Sequence, residues 1–305
     1  MRPESPALTV AVAAPPASWQ VWWTAIRPRT LPLAASPVLV GIALAWAEGA
    51  TPRWLAALAT LLAALLIQIG TNLHNDAADH ERGNDRADRL GPLRVTAAGW
   101  VSADAVRHAA HLAFVLAFVL GVYLAVLGGW PIVAAGLASL AAGYAYSGGP
   151  RPISYSPFGE LFVLVFFGLV AVGGSHYLQS GDLTPRALLA GFAIGLPAAA
   201  VLLINNLRDR VADLAAGRRT LAAVIGPHAS RRLHAALMLL PFALLPLFAL
   251  RPTAWLALLA LPATLAVIRR CREAEGSAFN RVLADTARAQ LIFGFLFAIG
   301  TLLPT

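Results

Sequence analysis

The 305-residue sequence contains no lysine; all 23 of its basic residues are arginine. Cysteine occurs once, at Cys271, so an intramolecular disulfide is impossible and a cysteine-based metal site is not expected. Charge is scarce too: 12% of residues are charged against 58% hydrophobic, and the mean hydropathy is +0.69. That balance excludes an ordinary soluble domain. What the chain has instead is a series of apolar runs about twenty residues long, the length a helix needs to cross a bilayer. Backbone groups in hydrocarbon must be satisfied within the segment, so the chain reads as an all-α integral membrane protein. The net charge of +8 would in a soluble protein suggest nucleic acid. In a membrane chain it marks loops facing an anionic leaflet, and no nucleic-acid partner is expected. Residues 1–18, rich in Pro and Ala, lack the pattern of a cleaved signal and read as a disordered tail, leaving 19–305 as a single polytopic domain.

Hydropathy predicts nine spans: about Leu31–Ala47, Arg53–Asn75, Asp104–Leu127, Trp130–Tyr146, Phe158–Leu178, Arg186–Asn206, Arg231–Leu250, Pro252–Ile268 and Thr286–Leu303. Trp19, Trp22 and Trp23 precede the first as an interfacial anchor, and Pro197, Pro241, Pro246 and Pro262 are expected to kink their helices. Long polar loops follow the second and sixth spans, the later one running to about Ser230. With the N-terminus in the cytoplasm, only Arg53, Arg186 and Arg251 face outward, which leaves about twenty of the 23 arginines inside. That asymmetry predicts a cytoplasmic N-terminus in the inner membrane.

Against this background one polar stretch stands out, Asn72-Leu-His-Asn-Asp-Ala-Ala-Asp-His-Glu-Arg-Gly-Asn-Asp85, at the end of the second span. If the helix continues, Asn72, Asp76 and Asp79 share one face; Asp85 lies past Gly83, where the helix is expected to have ended. A second stretch, Asn205-Asn-Leu-Arg-Asp209-Arg-Val-Ala-Asp213, closes the sixth span with Asn205, Asp209 and Asp213 at i, i+4 spacing. One such cluster reads equally well as a solvated helix end. Two, each with a preceding asparagine, point to carboxylate jaws that hold Mg²⁺ with a diphosphate between them. Both jaws fall on the cytoplasmic side. His74, His80 and His176 do not form a zinc-like spacing.

These residues resemble the UbiA superfamily of intramembrane prenyltransferases, and within it the branch that uses 1,4-dihydroxy-2-naphthoate. The similarity rests on Arg27-Pro-Arg-Thr-Leu-Pro32 with Pro37–Gly41, on Asn75-Asp76-x-x-Asp79-x-x-x-Gly83-x-Asp85 with Gly91-Pro-Leu-Arg94, on Glu160–Gly168 with Tyr177-Leu-Gln179, and on Asn205–Ala222. The general superfamily spaces its first three acids so that one would stand at Gly83. Two further departures are Arg218 in place of the usual Lys, and Ser175-His176 where a hydroxyl and an aromatic are expected in the acceptor pocket.

The resemblance implies a nine-helix UbiA-like bundle and a polyprenyl diphosphate donor bound through Mg²⁺, taken as two ions. Asp76, Asp79, Asp209 and Asp213 would be catalytic and, with Asp85, would ligate metal. Asn72, Asn75, Arg94, Asn205, Asn206, Arg208 and Arg218 would bind diphosphate. Arg27, Tyr144, Tyr146 and Phe166 are candidates for the acceptor or for an allylic cation; Tyr144 and Tyr146 lie two apart, so at most one of them faces the cavity. Arg82 and Arg89 read as solvated or headgroup-facing charges, and the Phe166-Phe167 pair more readily as lipid-facing or core packing. Two alternatives stay open. One is another aromatic acceptor, namely 4-hydroxybenzoate, homogentisate or chlorophyllide. The other is a cation-coupled transporter, against which the acids lie at helix ends and not at mid-membrane.

Overall fold

The computed structural model describes residues 16–83, 89–248 and 252–304. The expected tail falls almost wholly outside them. The described residues form helices and no strand: α1 (Ser18–Ile26), α2 (Leu31–Ala47), α3 (Trp54–Glu81), α4 (Ala103–Gly128), α5 (Trp130–Ser147), α6 (Gly159–Val163), α7 (Ala171–Ser180), α8 (Pro185–Ala215), α9 (Leu221–Leu244), α10 (Leu261–Glu273) and α11 (Phe279–Leu302). A π-helix, Leu164–Val170, joins α6 to α7 into one long rod. Eight helical stretches are long and apolar enough to cross a membrane. The fourth expected span forms as α5, but Pro131, Gly136, Gly143, Tyr144 and Tyr146 make it less apolar than those eight.

Start signals explain most of the register. Ser102, Thr184 and Thr220 each accept a hydrogen bond from the backbone N–H three residues on, capping α4, α8 and α9. The Thr220 cap starts α9 at Leu221, ten residues before the expected Arg231, and the helix breaks at Gly226 ahead of Pro227. The second polar loop is correspondingly short. Pro197 and Pro241 lie inside α8 and α9, whereas Pro246 falls in a 3₁₀ turn and Pro262 in the first turn of α10, where proline is tolerated. Most consequential for function, α3 runs to Glu81 and α8 to Ala215, past their expected ends at Asn75 and Asn206. The described acids of both motifs therefore sit on helix.

α8 is the most enclosed helix and packs on α9, α11, α2 and the α6–α7 rod. Val40, Leu44, Ile194, Phe293 and Phe297 form the core where α2, α8 and α11 meet. α5 packs on α3 and α4 and not closely on the α6–α7 rod. The space left between α3–α5 and α6–α8 becomes the cavity described below. At the end of the bundle remote from the acids, a polar clasp ties three helices. Glu48 accepts from Arg186 at 2.9 Å and pairs with the fully buried His176 at 2.8 Å.

Candidate active site

A cavity of about 940 Å³ lies between the two groups of helices. Its body is apolar, with Val38, Ile67, Leu140, Val170 and Leu202 among its walls. One end is polar and gathers Asn75, Asp79, Arg89 and Arg94 from one side with Asn205, Asn206, Asp209, Asp213 and Arg218 from the other. Two motifs 133 residues apart in sequence, counted from Asp76 to Asp209, thus face each other across one chamber.

In the first motif the two acids of α3 divide their work. Asp79 is buried and forms ion pairs with Arg94 and Arg218. Asp76 does not line the cavity. Its carboxylate accepts from the Thr96 hydroxyl and from the backbone N–H groups of Val95 and Thr96 at 3.3 and 3.4 Å. Asp76, expected to ligate metal, instead fastens the loop that carries Arg94. The helical spacing is as expected, but the loop folds back over one edge of the acidic face and captures the nearer acid. Asn72 is likewise engaged: its Nδ2 donates to the Ile26 carbonyl and to Thr30 Oγ1, both at 3.0 Å, and its Oδ1 accepts from Gln68 at 3.3 Å. It lines the cavity and holds the Arg27–Thr30 turn. Asn75 donates to Ser147 Oγ at 2.8 Å and accepts from Arg94 at 3.1 Å. Asp85 lies outside the described residues.

In the second motif the acids keep their positions and an arginine is diverted. Arg208 is buried, chelates Asp209 through Nε and Nη2 at 2.8 and 2.6 Å, and also reaches Asn205 Oδ1 and Asn280 Oδ1, each at 2.9 Å. Asn280 in turn donates to the Leu90 carbonyl at 2.7 Å. Gly91 sits against the Arg208 guanidinium, which would have to shift to admit a Cβ there. Arg208, expected to bind diphosphate, does not line the cavity and braces the jaw to the Gly91-Pro-Leu-Arg94 loop. α8 closes with Gly217 at φ +75° and the Arg218 N–H bonded to the Asp213 carbonyl at 2.8 Å, a Schellman ending. Only a residue free to take positive φ folds the chain back so tightly. The turn delivers Arg218 to Asp79, to Asp213 at 3.7 Å, and onto the Tyr155 ring at 4.6 Å. Burial alone would lower the pKa of this guanidinium, but Asp79, then Tyr155 and Asp213, raise it above the ordinary arginine value. Arg218 therefore joins one jaw to the other as a fixed positive charge.

The π-helix shapes the apolar wall. Phe162, Phe166, Phe167 and Val170 all line the cavity, with the Phe162 and Phe166 rings stacked at 6.0 Å. Neighbours such as Phe166 and Phe167 diverge by about 100° on a regular helix; the wider π turn lets both reach one chamber. The pair thus lines the cavity, and Phe167 also packs, as expected, against the core of Leu33, Ala198, Val201 and Ala287. Tyr146 lines the cavity, whereas Tyr144 stacks on His74 at 4.6 Å on the outer face, so one of the two faces the chamber, as their spacing requires. Arg27 lines the cavity with its backbone at φ +53°, the one non-glycine residue in the left-handed region among those described. Ser175 reaches the cavity, whereas His176 belongs to the remote clasp.

Several participants escaped the sequence reading. Arg89 lines the cavity and so departs from the solvated charge expected of it, whereas Arg82 is exposed as expected while donating to the carbonyls of Ser147 and Gly149 at 2.6 and 3.2 Å. Thr96, Tyr155 and Asn280 hold charged groups but stand in no pattern that announces them. Among the described residues no three His, Cys, Asp or Glu side chains converge as a metal cage. Arginine guanidiniums lie against Asp79 and Asp209. The donors at this end are carboxylates and amides, without thiolate or imidazole, the set that suits a hard cation such as Mg²⁺. The guanidinium contacts on Asp79 confirm that this carboxylate sits where positive charge is favoured.

The UbiA prenyltransferase family matches residues 34–284. A 1,4-dihydroxy-2-naphthoate octaprenyltransferase of Escherichia coli (strain K12) is 38% identical over 303 residues, covering 93% of this chain and 96% of that protein. One of Mycobacterium tuberculosis with the same name is 36% identical over 286 residues, covering 92% and 97%. Among solved structures, a UbiA homolog from Aeropyrum pernix K1 in its apo form superposes with a TM-score of 0.67 at 18% identity, covering 88% of this chain and 97% of that one. A UbiA homolog from Archaeoglobus fulgidus bound to DMAPP and Mg²⁺ gives 0.63 at 16% identity, covering 91% and 99%.

Proposed function

Because the chain belongs to the UbiA prenyltransferase family, we propose that it transfers a polyprenyl group from polyprenyl diphosphate to 1,4-dihydroxy-2-naphthoate, releasing diphosphate and CO₂ and forming demethylmenaquinol for menaquinone synthesis. The observation that carries this reading is the form of the cavity: opposed carboxylates and arginines at one end, an apolar chamber behind them. A diphosphate with a long hydrocarbon tail has that same division. The names of the relatives supply the acceptor.

Asp79, Asp209 and Asp213, with the expected Asp85, would hold two Mg²⁺ ions, whose chemistry is to neutralise the diphosphate and make it a leaving group. Arg94 and Arg218 donate to its oxygens from opposite sides. Tyr146 and Phe166 present aromatic faces to the allylic segment as the C–O bond breaks and positive charge develops there. Arg27, aimed into the chamber by its left-handed backbone, pairs with the acceptor's carboxylate. The electron-rich ring attacks the allylic carbon, and loss of CO₂ with re-aromatisation completes the exchange. The protein contributes position, charge and exclusion of water. The tail lies along the apolar walls and leaves between α5 and the α6–α7 rod. The polar end faces the cytoplasm across the inner membrane, following the arginine asymmetry.

Purified protein incubated with several aromatic acceptors and polyprenyl diphosphates tests the reaction. Mg²⁺-dependent diphosphate release with a prenylated, decarboxylated naphthoate product is expected. Transfer to 4-hydroxybenzoate alone would overturn the acceptor, and no diphosphate release with any pair would overturn the reaction class. Orientation is tested with cysteines at Ala87 and Ala216 in a Cys271→Ser background. Both should resist an impermeant thiol reagent in intact cells; labelling from outside would reverse the topology.

A further inference from the structure

Glu160 has no part in the reaction as described, yet it is a carboxylate 5% exposed in a membrane bundle. It stands in the first turn of α6. Its Oε1 accepts a hydrogen bond from Asn206 Nδ2 at 2.9 Å, and its Oε2 is buried without a partner. Burying a carboxylate is costly, and leaving one of its oxygens unmatched costs more. Glu160 does not line the cavity, but Asn206 does.

An amide side chain has two ends of opposite character, one that donates and one that accepts. An ionised carboxylate only accepts, so Glu160 selects the NH₂ end of Asn206. The carbonyl end, Oδ1, is then the polar atom that Asn206 presents to the cavity. It accepts no hydrogen bond from any described residue, although Asn206 is only 8% exposed. The first jaw offers a control within the same molecule. Asn75 is held by its NH₂ on Ser147 Oγ at 2.8 Å, and its carbonyl already accepts from Arg94. A hydroxyl both donates and accepts, so Ser147 does not dictate the amide's orientation. Glu160 does.

We propose that Glu160 is a positioning residue that locks Asn206 in one amide orientation, so that its carbonyl oxygen serves as a ligand for the cation–diphosphate complex. This rests on the reading that such a complex binds between the two jaws. A carbonyl oxygen suits a hard cation, whereas the flipped amide would present N–H donors that repel it. Partners that orient a ligand from behind typically change metal affinity by about 10- to 100-fold.

The test measures Mn²⁺ binding in the presence of inorganic pyrophosphate, by the loss of the free-ion paramagnetic resonance signal, with no acceptor and no turnover. Wild-type protein should bind. Glu160→Ala should weaken Mn²⁺ binding by about tenfold or more. Glu160→Gln, whose amide can accept the hydrogen bond or donate one and so no longer dictates the orientation, should bind between wild type and Glu160→Ala. Asn206→Ala should match Glu160→Ala, and the double variant should be no weaker than Asn206→Ala, because the two act as one unit. Should Glu160→Ala fail to fold, Glu160→Asp replaces it, since its shorter reach withdraws the acceptor while keeping the charge. Wild-type affinity in the folded Ala or Asp variant overturns the proposal. So does a Gln variant that binds as tightly as wild type, which would show that no acceptor-only partner is needed, and so do fully additive losses. Wild-type protein that binds no Mn²⁺ with pyrophosphate fails differently: it removes the cation–diphosphate site itself, and this proposal with it.

Discussion

The two acidic jaws use the same sequence device, asparagine followed by acids at helical spacing, and the fold treats them differently. On α3 the loop 94–96 closes over the motif and takes Asp76 for itself, leaving Asp79 to face the chamber. On α8 no acid is diverted to a loop; Arg208 turns inward instead and braces Asp209 and Asn205. Helical spacing fixes which residues share a face. Which member of that face is free depends on what folds over it, and that is decided by residues far away in sequence.

The sharpest way to break the comparison is to neutralise one acid of each kind. Asp79→Asn and Asp209→Asn should each reduce kcat/KM by about a hundredfold or more while the protein still folds, the scale set by losing one charge aimed at the transition state. A variant retaining more than about a tenth of the wild-type rate, a difference of 1.36 kcal/mol, would remove that residue from the site.

Arg218 spans both jaws, so its loss should register on the donor. Arg218→Ala should raise KM for the prenyl diphosphate by about tenfold or more, with the acceptor KM unmoved. Arg218→Lys should recover most of the loss, because Lys still binds phosphate as a point charge. A change confined to the acceptor constant would assign Arg218 to the naphthoate instead.

Asp76→Asn sharpens the comparison from the other side. If Asp76 were one more acid in a repelling cluster, its removal would leave stability level or higher. Because its carboxylate holds the Thr96 hydroxyl and two backbone N–H groups, the Asn variant should instead lose about 1–3 kcal/mol in chemical denaturation. A level or rising stability would return Asp76 to the metal site. The smallest effect separates the two tyrosines. Tyr146→Ala should slow turnover by the ~0.5–2 kcal/mol of a cation–aromatic contact, and Tyr144→Ala should leave the rate in detergent unchanged. Equal effects would mean that the outer stack on His74 matters to catalysis.

Much of this was legible in the sequence because membrane folding leaves few choices. Apolar runs gave the helices, and the placement of both acid clusters at the end of an even-numbered span put them at one end of the bundle. Gly217 announced the turn that returns Arg218. The sequence was silent where one side chain is claimed by a distant partner. Asp76 by Thr96, Asn72 by Thr30 and Arg208 by Asn280 are pairings across loops or helices, and spacing along one helix carries no trace of them. Helix ends were also misjudged, because polar residues that looked like loop continue α3 and α8 inside the protein. The tolerance of α5 for small and polar residues follows from its place against the cavity, which hydropathy does not sense.

The wide turn at Leu164–Val170 has an effect beyond the aromatic wall. It sets the phase of everything after it on the same rod. Phe166 and Phe167 must face the chamber while, two to three turns on, His176 must meet Glu48 and Gln179 must meet Trp46 and Arg53. Deleting one residue within the turn would rotate the remainder by about 100°, the angle per residue of a regular helix, and unseat the remote clasp. This segment should therefore accept changes of side chain far more readily than changes of length. A one-residue deletion should cost thermal stability at the clasp as well as turnover at the site, joining the two ends of the bundle through the winding of a single helix.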